Sequence, residues 1–552
     1  FREFSFVISG SIIISSFAAL TFTPMLATKL LKRQEQKNWF YRKTEPFFEG
    51  MNRLYSRSLA AFLHKRWIAL VFTLITFCII FVLWNSIPAE MAPLEDRSQI
   101  TISTIGAEGV SYEYIRDYTE RINDVVDSII PDAEAVTARV SSGSGNVQIT
   151  LKDIRERDYS QMDVAAKLTR ALKSETEARA FLRQQSSFGG RRASMPVQYV
   201  LQATNLEKLQ EVLPKFMERV YENDVFQMAD VDLKFSKPEA RISINRDKAG
   251  AMGVSTKNIA QTLQYGLSGQ RMGYFYMNGK QYEILGEINR QQRNKPAYLV
   301  GLYIRNDAGD MIQLDNLVEL VYGTAPPKLY RYNRFVSATV SAGLAEGKTI
   351  GQGLEEMDKI ADEVLDETFR TALAGDSKDY SESASSLMFA FILAIFLIYL
   401  ILAAQFESFK DPLIIMLTVP LAIAGALIFM YFGDITMNIF SQIGIIMLIG
   451  LVAKNGILIV EFANQKQEAG EDKLQAIKDA ALQRLRPILM TSASTVIGLI
   501  PLAFATGEGA NQRIAMGTAV VGGMLISTLL TMYIVPAIYS YVSTNRSKVR
   551  KI

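Results

Sequence analysis

The sequence predicts an α-helical bundle that crosses a membrane several times and carries a large α/β domain on one side of it. Three observations predict this. Seven charge-free apolar windows, at residues 4–28, 67–89, 383–406, 412–433, 435–453, 487–507 and 514–545, come close to or exceed the ~20 residues that cover ~30 Å of hydrocarbon at ~1.5 Å per residue. One long polar stretch, from about residue 90 to 382, separates the second window from the third and shows both strand and helix periodicity. Apolar residues make up 49% of the 552 and charged residues only 21%, with a mean hydropathy of +0.11. An ordinary soluble enzyme is more polar.

The first span, 1–29, begins at Phe1 with no initiator Met and no signal peptide, so the chain is expected to start inside a longer protein. Residues 30–66 form a linker in which Phe47, Phe48, Met51, Leu54, Tyr55, Leu59 and Phe62 recur at three and four. Two readings fit that pattern: an amphipathic helix at the membrane surface, or a linker helix packed on the protein. The segment 29–66 holds ten Lys/Arg against Glu35, Glu45 and Glu49, which makes it cytoplasmic by the positive-inside rule. After the second span, 67–89, the domain at 90–382 then falls on the opposite face. Parity puts the basic tail at 546–552 back with the linker, and its cations agree.

Within that domain a βαββα order appears twice. Strand 99–105, a helix through Ile115, Tyr118, Ile122 and Val126, strands 134–140 and 146–151, and a helix through Val164, Leu168 and Leu172 make the first unit, at 90–192. Strand 196–203, a helix through Leu209, Leu213 and Phe216, strands 229–235 and 335–343, and a helix through Ile350, Leu354 and Met357 make the second, at 193–238 and 326–380. About 90 residues, 239–325, are inserted in it. Five spans at 381–545 complete the chain. The first and last spans match at an offset of 512: Gly10, Ile14, Ser15 and Pro24 meet Gly522, Ile526, Ser527 and Pro536. A repeat of that length, with six spans and therefore a parallel orientation, implies a further N-terminal half.

Several function classes drop out. A net charge of +3 leaves no basic field for nucleic acid. One Cys, Cys78, and one His, His64, cannot build a disulfide or a Cys/His zinc site. No GxSxG, HExxH or P-loop is present. Transport driven by an ion gradient, with no cofactor, fits better than catalysis.

Lys454 is the sharpest residue. A cation at the centre of a membrane helix costs ~2.5–3.5 kcal/mol on insertion scales, so it calls for a partner or a wet cavity. No other span holds an acid in its interior. Glu461 lies seven residues on, along the same helical face, and pairing with it by snorkelling is the alternative to carboxylates from outside this chain. Asn455 adjoins the lysine. Arg484, Thr491 and Thr495 share one face of the sixth span, although the residues by themselves favour reading Arg484 and Arg486 as positive-inside anchors. Ser492 and Ser494 are expected to bond their own helix.

The motifs FESF at 406–409, VPL at 419–421, GLVAKNGILIVEF at 450–462, RLRPILMTS at 484–492 and PAEMAPLED at 88–96 resemble the hydrophobe/amphiphile efflux branch of the resistance-nodulation-division transporters. The likeness covers essentially the whole chain and makes it the C-terminal half, helices six to twelve. The resemblance implies a proton-driven efflux subunit, a homotrimer in the inner membrane of a Gram-negative bacterium. It would work with a periplasmic adaptor and an outer-membrane channel on small amphiphilic substrates drawn from periplasm or membrane lipid. It implies two ferredoxin-like porter subdomains and a docking insert. Lys454, Arg484 and Thr491 would be the relay residues, with Asn455 and Glu461 as neighbours and the acids on a helix this chain lacks. One departure narrows the substrate range: Ser141-Ser142-Gly143-Ser144-Gly145 stands where multidrug members carry a Phe-rich loop. Phe181, Phe188 and Met195 are the candidates for a substrate cleft, with Tyr199 assigned to core packing. A non-pumping accessory or receptor of the same fold and a heavy-metal exporter are the alternatives.

Overall fold

The structure is a computed structural model and describes residues 2–30, 39–175, 177–184, 195–267, 269–292, 295, 298, 301–345 and 347–544. Seven of its described helices are long and apolar enough to cross a membrane, one for each predicted window. The first, α1 (Arg2–Leu30), presents exposed apolar side chains such as Phe17 and Leu20. An amphipathic helix, α2 (Trp39–His64), leads into α3 (Trp67–Ser86).

Helix α2 packs on the protein, with part of its apolar surface left uncovered. Tyr55, Leu59 and Leu63 are buried against the bundle, whereas Phe47 and Leu54 are exposed. Its anchor is the Tyr55 hydroxyl, which donates to the carbonyl of Met532 at 2.6 Å. Met532 lies four residues before Pro536, whose missing N–H leaves that carbonyl without a helical donor. Burial, with Tyr533 nearby, pushes the Tyr55 phenol's pKa up, so the hydroxyl keeps its proton.

The first α/β unit runs β1 (Gln99–Ile105), α4 (Tyr112–Ile129), β2 (Ala135–Ser141), β3 (Ser144–Thr150), α5 (Gln161–Leu172) and β4 (Arg179–Gln184). Its antiparallel sheet has the order β2-β3-β1-β4. Ser111 caps α4, and Ser160 with Asp163 forms a capping box on α5, so both helices begin where a hydroxyl takes up free N–H groups. Ile100, Ile102, Tyr118, Ile122, Val147 and Ile149 fill the core. Strand β4 was not predicted: its six residues include two Arg and no long apolar alternation, and it exists because β1 offers it an edge.

The second unit opens with β5 (Val197–Ala203), α6 (Leu206–Glu222) and β6 (Phe226–Val231). Strand β6 sits earlier than the predicted 229–235. It ends where the Asp232 carboxylate accepts the Thr339 N–H at 2.7 Å, while Leu233 turns into the core. The insert contains β7 (Lys237–Ile244), α7 (Arg246–Ala251), α8 (Thr256–Leu267), β8 (Gln270–Met277), β9 (Lys280–Gly286), β10 (Tyr303–Arg305), β11 (Met311–Gln313) and β12 (Val318–Ala325). Strands β7 and β12 pair along their whole length, so the insert leaves and returns as one ribbon above a small core of its own. The β8–β9 hairpin turns at Asn278-Gly279, both at positive φ as that tight turn requires. The unit closes with β13 (Tyr330–Tyr332), β14 (Phe335–Leu344), α9 (Ile350–Val364) and the unpredicted β15 (Arg370–Leu373), in the order β13-β14-β5-β15 with β6 also on β14.

Five spans follow: α10 (Gly375–Phe406), a broken helix α11 (Lys410–Met416) and α12 (Thr418–Phe432), then α13 (Ile439–Glu468), α14 (Lys473–Ala503) and α15 (Ala510–Val542). Helix α10 starts eight residues before its apolar window. Its Ser377 hydroxyl accepts from the Gln198 N–H at 2.8 Å and donates to the Pro196 carbonyl at 3.2 Å, joining the span to β5. The break at Leu417 precedes Pro420, which leaves the Met416 carbonyl without its helical partner. Helix α15 lies at the centre, against α12, α13 and α14. Small residues permit that approach: a Cβ on Gly425 would stand 2.9 Å from the Gly522 carbonyl oxygen and 3.1 Å from the Gly523 Cα.

Two outcomes are expected. Gly425→Ala should destabilise the bundle by about 1–3 kcal/mol, because the obstacles are backbone atoms of Gly522 and Gly523 and the Ile526 Cβ, none of which a side-chain rotation moves; thermal unfolding in detergent measures it. Tyr55→Phe should cost about 1–2 kcal/mol by leaving the Met532 carbonyl without a donor, visible as a lower Tm and faster proteolysis of α2.

Candidate functional site

Helix α13 begins at a double cap. Asn438 accepts the N–H groups of Phe440 and Ser441 at 3.0 and 3.1 Å, and the Ser441 hydroxyl accepts the Asn438 N–H at 2.9 Å. From there 30 residues run without a break, which carries Lys454 and Asn455 to mid-span. The two neighbours point to different surroundings.

Lys454 is half-buried, and its ammonium donates to the Thr495 hydroxyl on α14 at 3.4 Å. Thr495 in turn donates to the Thr491 carbonyl at 2.8 Å, so it has a lone pair for the lysine. Among the described residues no carboxylate stands within ion-pair distance of Lys454. Gly450, one turn earlier on the same face, has nothing among the described residues within 4 Å of where a Cβ would stand. The face of α13 that bears the cation is therefore open on one side.

Asn455 is fully buried on the inner face. Its amide donates to Ser492 on α14 at 3.3 Å and to Thr528 on α15 at 3.4 Å, while Thr528 donates to Ser492 at 3.1 Å. Three helices are thus tied by three polar groups at one level. Ser492 was expected to bond its own helix backbone; the structure has it accepting from two other helices, because Asn455 and Thr528 reach it in a medium with no competing water. Thr528 stands opposite Ser16 at the repeat offset of 512, and the sequence offers no other signal for it.

The remaining predicted residues lie apart from this pair. Thr491 donates to the Ile488 carbonyl at 3.1 Å, on its own helix. Glu461 accepts from Gln465 at 3.0 Å and makes no ion pair with Lys454 among the described residues. Two helical turns separate them, which is beyond the reach of a direct contact. The Arg484 guanidinium lies 4.6 Å over the Phe462 ring. Arg486 pairs with Glu45 at 3.6 Å and covers Phe48, which makes it an anchor for α2.

Nearer the α2 end, a second buried network escaped the sequence reading. Asn464 donates to Asp411 at 3.2 Å, Tyr539 donates to Asn464, and Gln467 donates to Tyr539 at 2.7 Å. It links α11, α13 and α15, and no spacing rule connects residues that far apart in sequence.

In the α/β region, Phe181 and Met195 are both nearly covered, at 8% and 7% exposure, and belong to different units. The Arg183 guanidinium lies 4.6 Å over the Phe181 ring. Phe188 lies outside the described residues. Tyr199 is core, stacked with Phe216 and donating to Asp358 at 2.7 Å. An open cleft of about 530 Å³ instead lies where α9, β15 and the top of α10 meet, lined by Asp358, Thr371, Tyr380, Ser381 and Ser385 beside Tyr199.

A multi-span bundle with a cation at mid-depth and two α/β units on one end defines a polytopic membrane transporter. The sequence profile of the AcrB/AcrD/AcrF family matches residues 1–543, and the chain belongs to that family of resistance-nodulation-division transporters. It is 31% identical over 558 residues to an uncharacterized transporter of Haemophilus influenzae, covering 99% of this chain and 54% of that protein. The chain thus spans about half the length of this curated relative.

Replacing Asn455 by Leu should lower bundle stability by about 1–2 kcal/mol, since two interhelical bonds vanish while Ser492 and Thr528 still satisfy each other. Thermal unfolding in detergent would show it, with the secondary structure unchanged by circular dichroism.

Proposed function

We propose that this chain is half of a proton-driven exporter of small amphiphilic compounds. The carrying observation is Lys454, an ammonium at mid-span whose bonded partner among the described residues is a neutral hydroxyl and whose helix face is open beside it. A charge so placed is matched by anionic groups from the rest of the protein. A carboxylate there pairs with Lys454 when ionised. Protonation removes its charge and releases the lysine, so α13 repacks, and return of the proton to the other side resets it.

Arg484 and Thr491 mark the route towards the α2 end, and Asn455 holds α13 to α14 and α15 as the lysine switches partners. Glu461 and Gln465 stand further along the same helix. The two α/β units are the porter subdomains, in the periplasm, and residues 239–325 the docking insert. The working assembly is a homotrimer in a Gram-negative inner membrane, joined to a periplasmic adaptor and an outer-membrane channel. The short Ser/Gly turn at 141–145 supports a narrower range of cargo than a Phe-rich loop would.

Lys454→Ala in the full-length protein should abolish gradient-driven export while leaving membrane abundance and oligomeric state unchanged. Susceptibility of cells to bile salts, cationic dyes and antibiotics, with and without the gene, measures it. Undiminished protection by the variant would refute the relay.

A further inference from the structure

The segment 88–96 follows α3 and carries little regular structure, yet it is bonded to four separate parts of the molecule. It is first joined to the link that precedes α13. Met437 donates its N–H to the Pro88 carbonyl at 2.8 Å, Glu90 donates its N–H to the Met437 carbonyl at 3.0 Å, and Ile439 donates to the Met91 carbonyl at 3.3 Å. The Thr436 hydroxyl donates to the Glu90 carboxylate. Burial raises the pKa of that carboxyl against the lowering effect of the hydroxyl.

Next it holds the start of α15. Glu95 is 2% exposed, and its carboxylate accepts the Gln512 N–H at 3.0 Å, in the first turn of that helix, while Asn511 donates to the Leu94 carbonyl at 2.7 Å. A carboxylate suits the positive end of a helix.

The adjacent Asp96 faces the other way. It accepts the Gln161 N–H at 2.8 Å, at the first residue of α5, and pairs with Arg157, whose side chain is fully buried. Gln161 returns the contact by accepting the N–H groups of Arg97 and Gln99 at 3.0 and 3.2 Å. Finally, the Ala89 carbonyl accepts the Gly351 N–H of α9 at 3.3 Å, which brings in the second unit.

We propose that residues 88–96 are the transmission strap of the transporter, with Glu95 and Asp96 as the positioning residues that fasten it to α15 and to the first α/β unit. The proposal rests on the gradient-driven reading of Lys454. When α13 repacks, its leading end moves one end of the strap while Glu95 holds the other end to α15, so the strap turns about that fixed point and swings both outer units, each of which is bonded to the same nine residues. Two adjacent carboxylates with opposite attachments make the chain between helix and sheet too short to absorb the movement.

The test uses the full-length protein in proteoliposomes, with Cys78→Ser and spin labels on introduced cysteines. One pair, Glu407→Cys with Leu474→Cys, reports the bundle; the other, Glu156→Cys with Glu508→Cys, reports the outer unit against α15. Pulsed electron resonance follows both distances as a proton gradient is imposed. The unmodified strap should give a shift at both pairs. Glu95→Ala should keep the bundle shift and lose the outer one. Glu95→Gln, whose amide oxygen still accepts from Gln512, should restore it, and the exposed Asn511→Ala should reduce it without affecting folding. An unaltered outer shift in Glu95→Ala, equal loss at both pairs, or no rescue by Glu95→Gln overturns the strap alone. No shift at either pair in the unmodified protein overturns the motor reading together with the strap.

Discussion

A polar group inside hydrocarbon must find a partner, and α13 is organised by that demand. Lys454 and Asn455 are consecutive, so their side chains leave the helix about 100° apart, one towards an open face and one into the bundle. The inward amide is met by Ser492 and Thr528. The ammonium has a hydroxyl for a partner and a side left open by the described residues. The helix is thereby bonded to its neighbours on one side and left uncovered on the other.

The same constraint explains how the bundle is assembled. Where proline removes a backbone donor from α15, the Tyr55 hydroxyl of α2 supplies one, and α2 is held by a bond that no surface helix could otherwise make. Where α12 and α15 cross, glycines remove side chains so that the backbones meet. Hydrophobic burial contributes little specificity here, since side chains leaving one another would find lipid equally apolar. Close approach and interhelical hydrogen bonds therefore decide the packing.

Outside the bundle the balance shifts to burial. The two α/β units have ordinary apolar cores, and their helices start at capped positions. Their connection to the spans is polar and local: Ser377 ties α10 to β5, and residues 88–96 tie the two units to α13 and α15. Rigid cores joined by short polar fastenings can move as bodies.

Much of this was legible in the sequence. The seven spans, the paired βαββα order, the inserted module and the placing of a cation, Lys454, at mid-span all follow from hydropathy and periodicity, which are properties of neighbouring residues. The edge strands β4 and β15 were not legible, because Arg179–Gln184 and Arg370–Leu373 are strands only by virtue of the partner they lie against. Nor was the role of Ser492, or the network of Asp411, Asn464, Gln467 and Tyr539, whose members come from three different helices. Local pattern determines the spans, the helices and the strands of clear apolar periodicity, but not the edge strands. Which polar groups satisfy one another is decided only when distant segments are packed together, because a hydrogen bond depends on atoms a few ångströms apart and not on their separation along the chain.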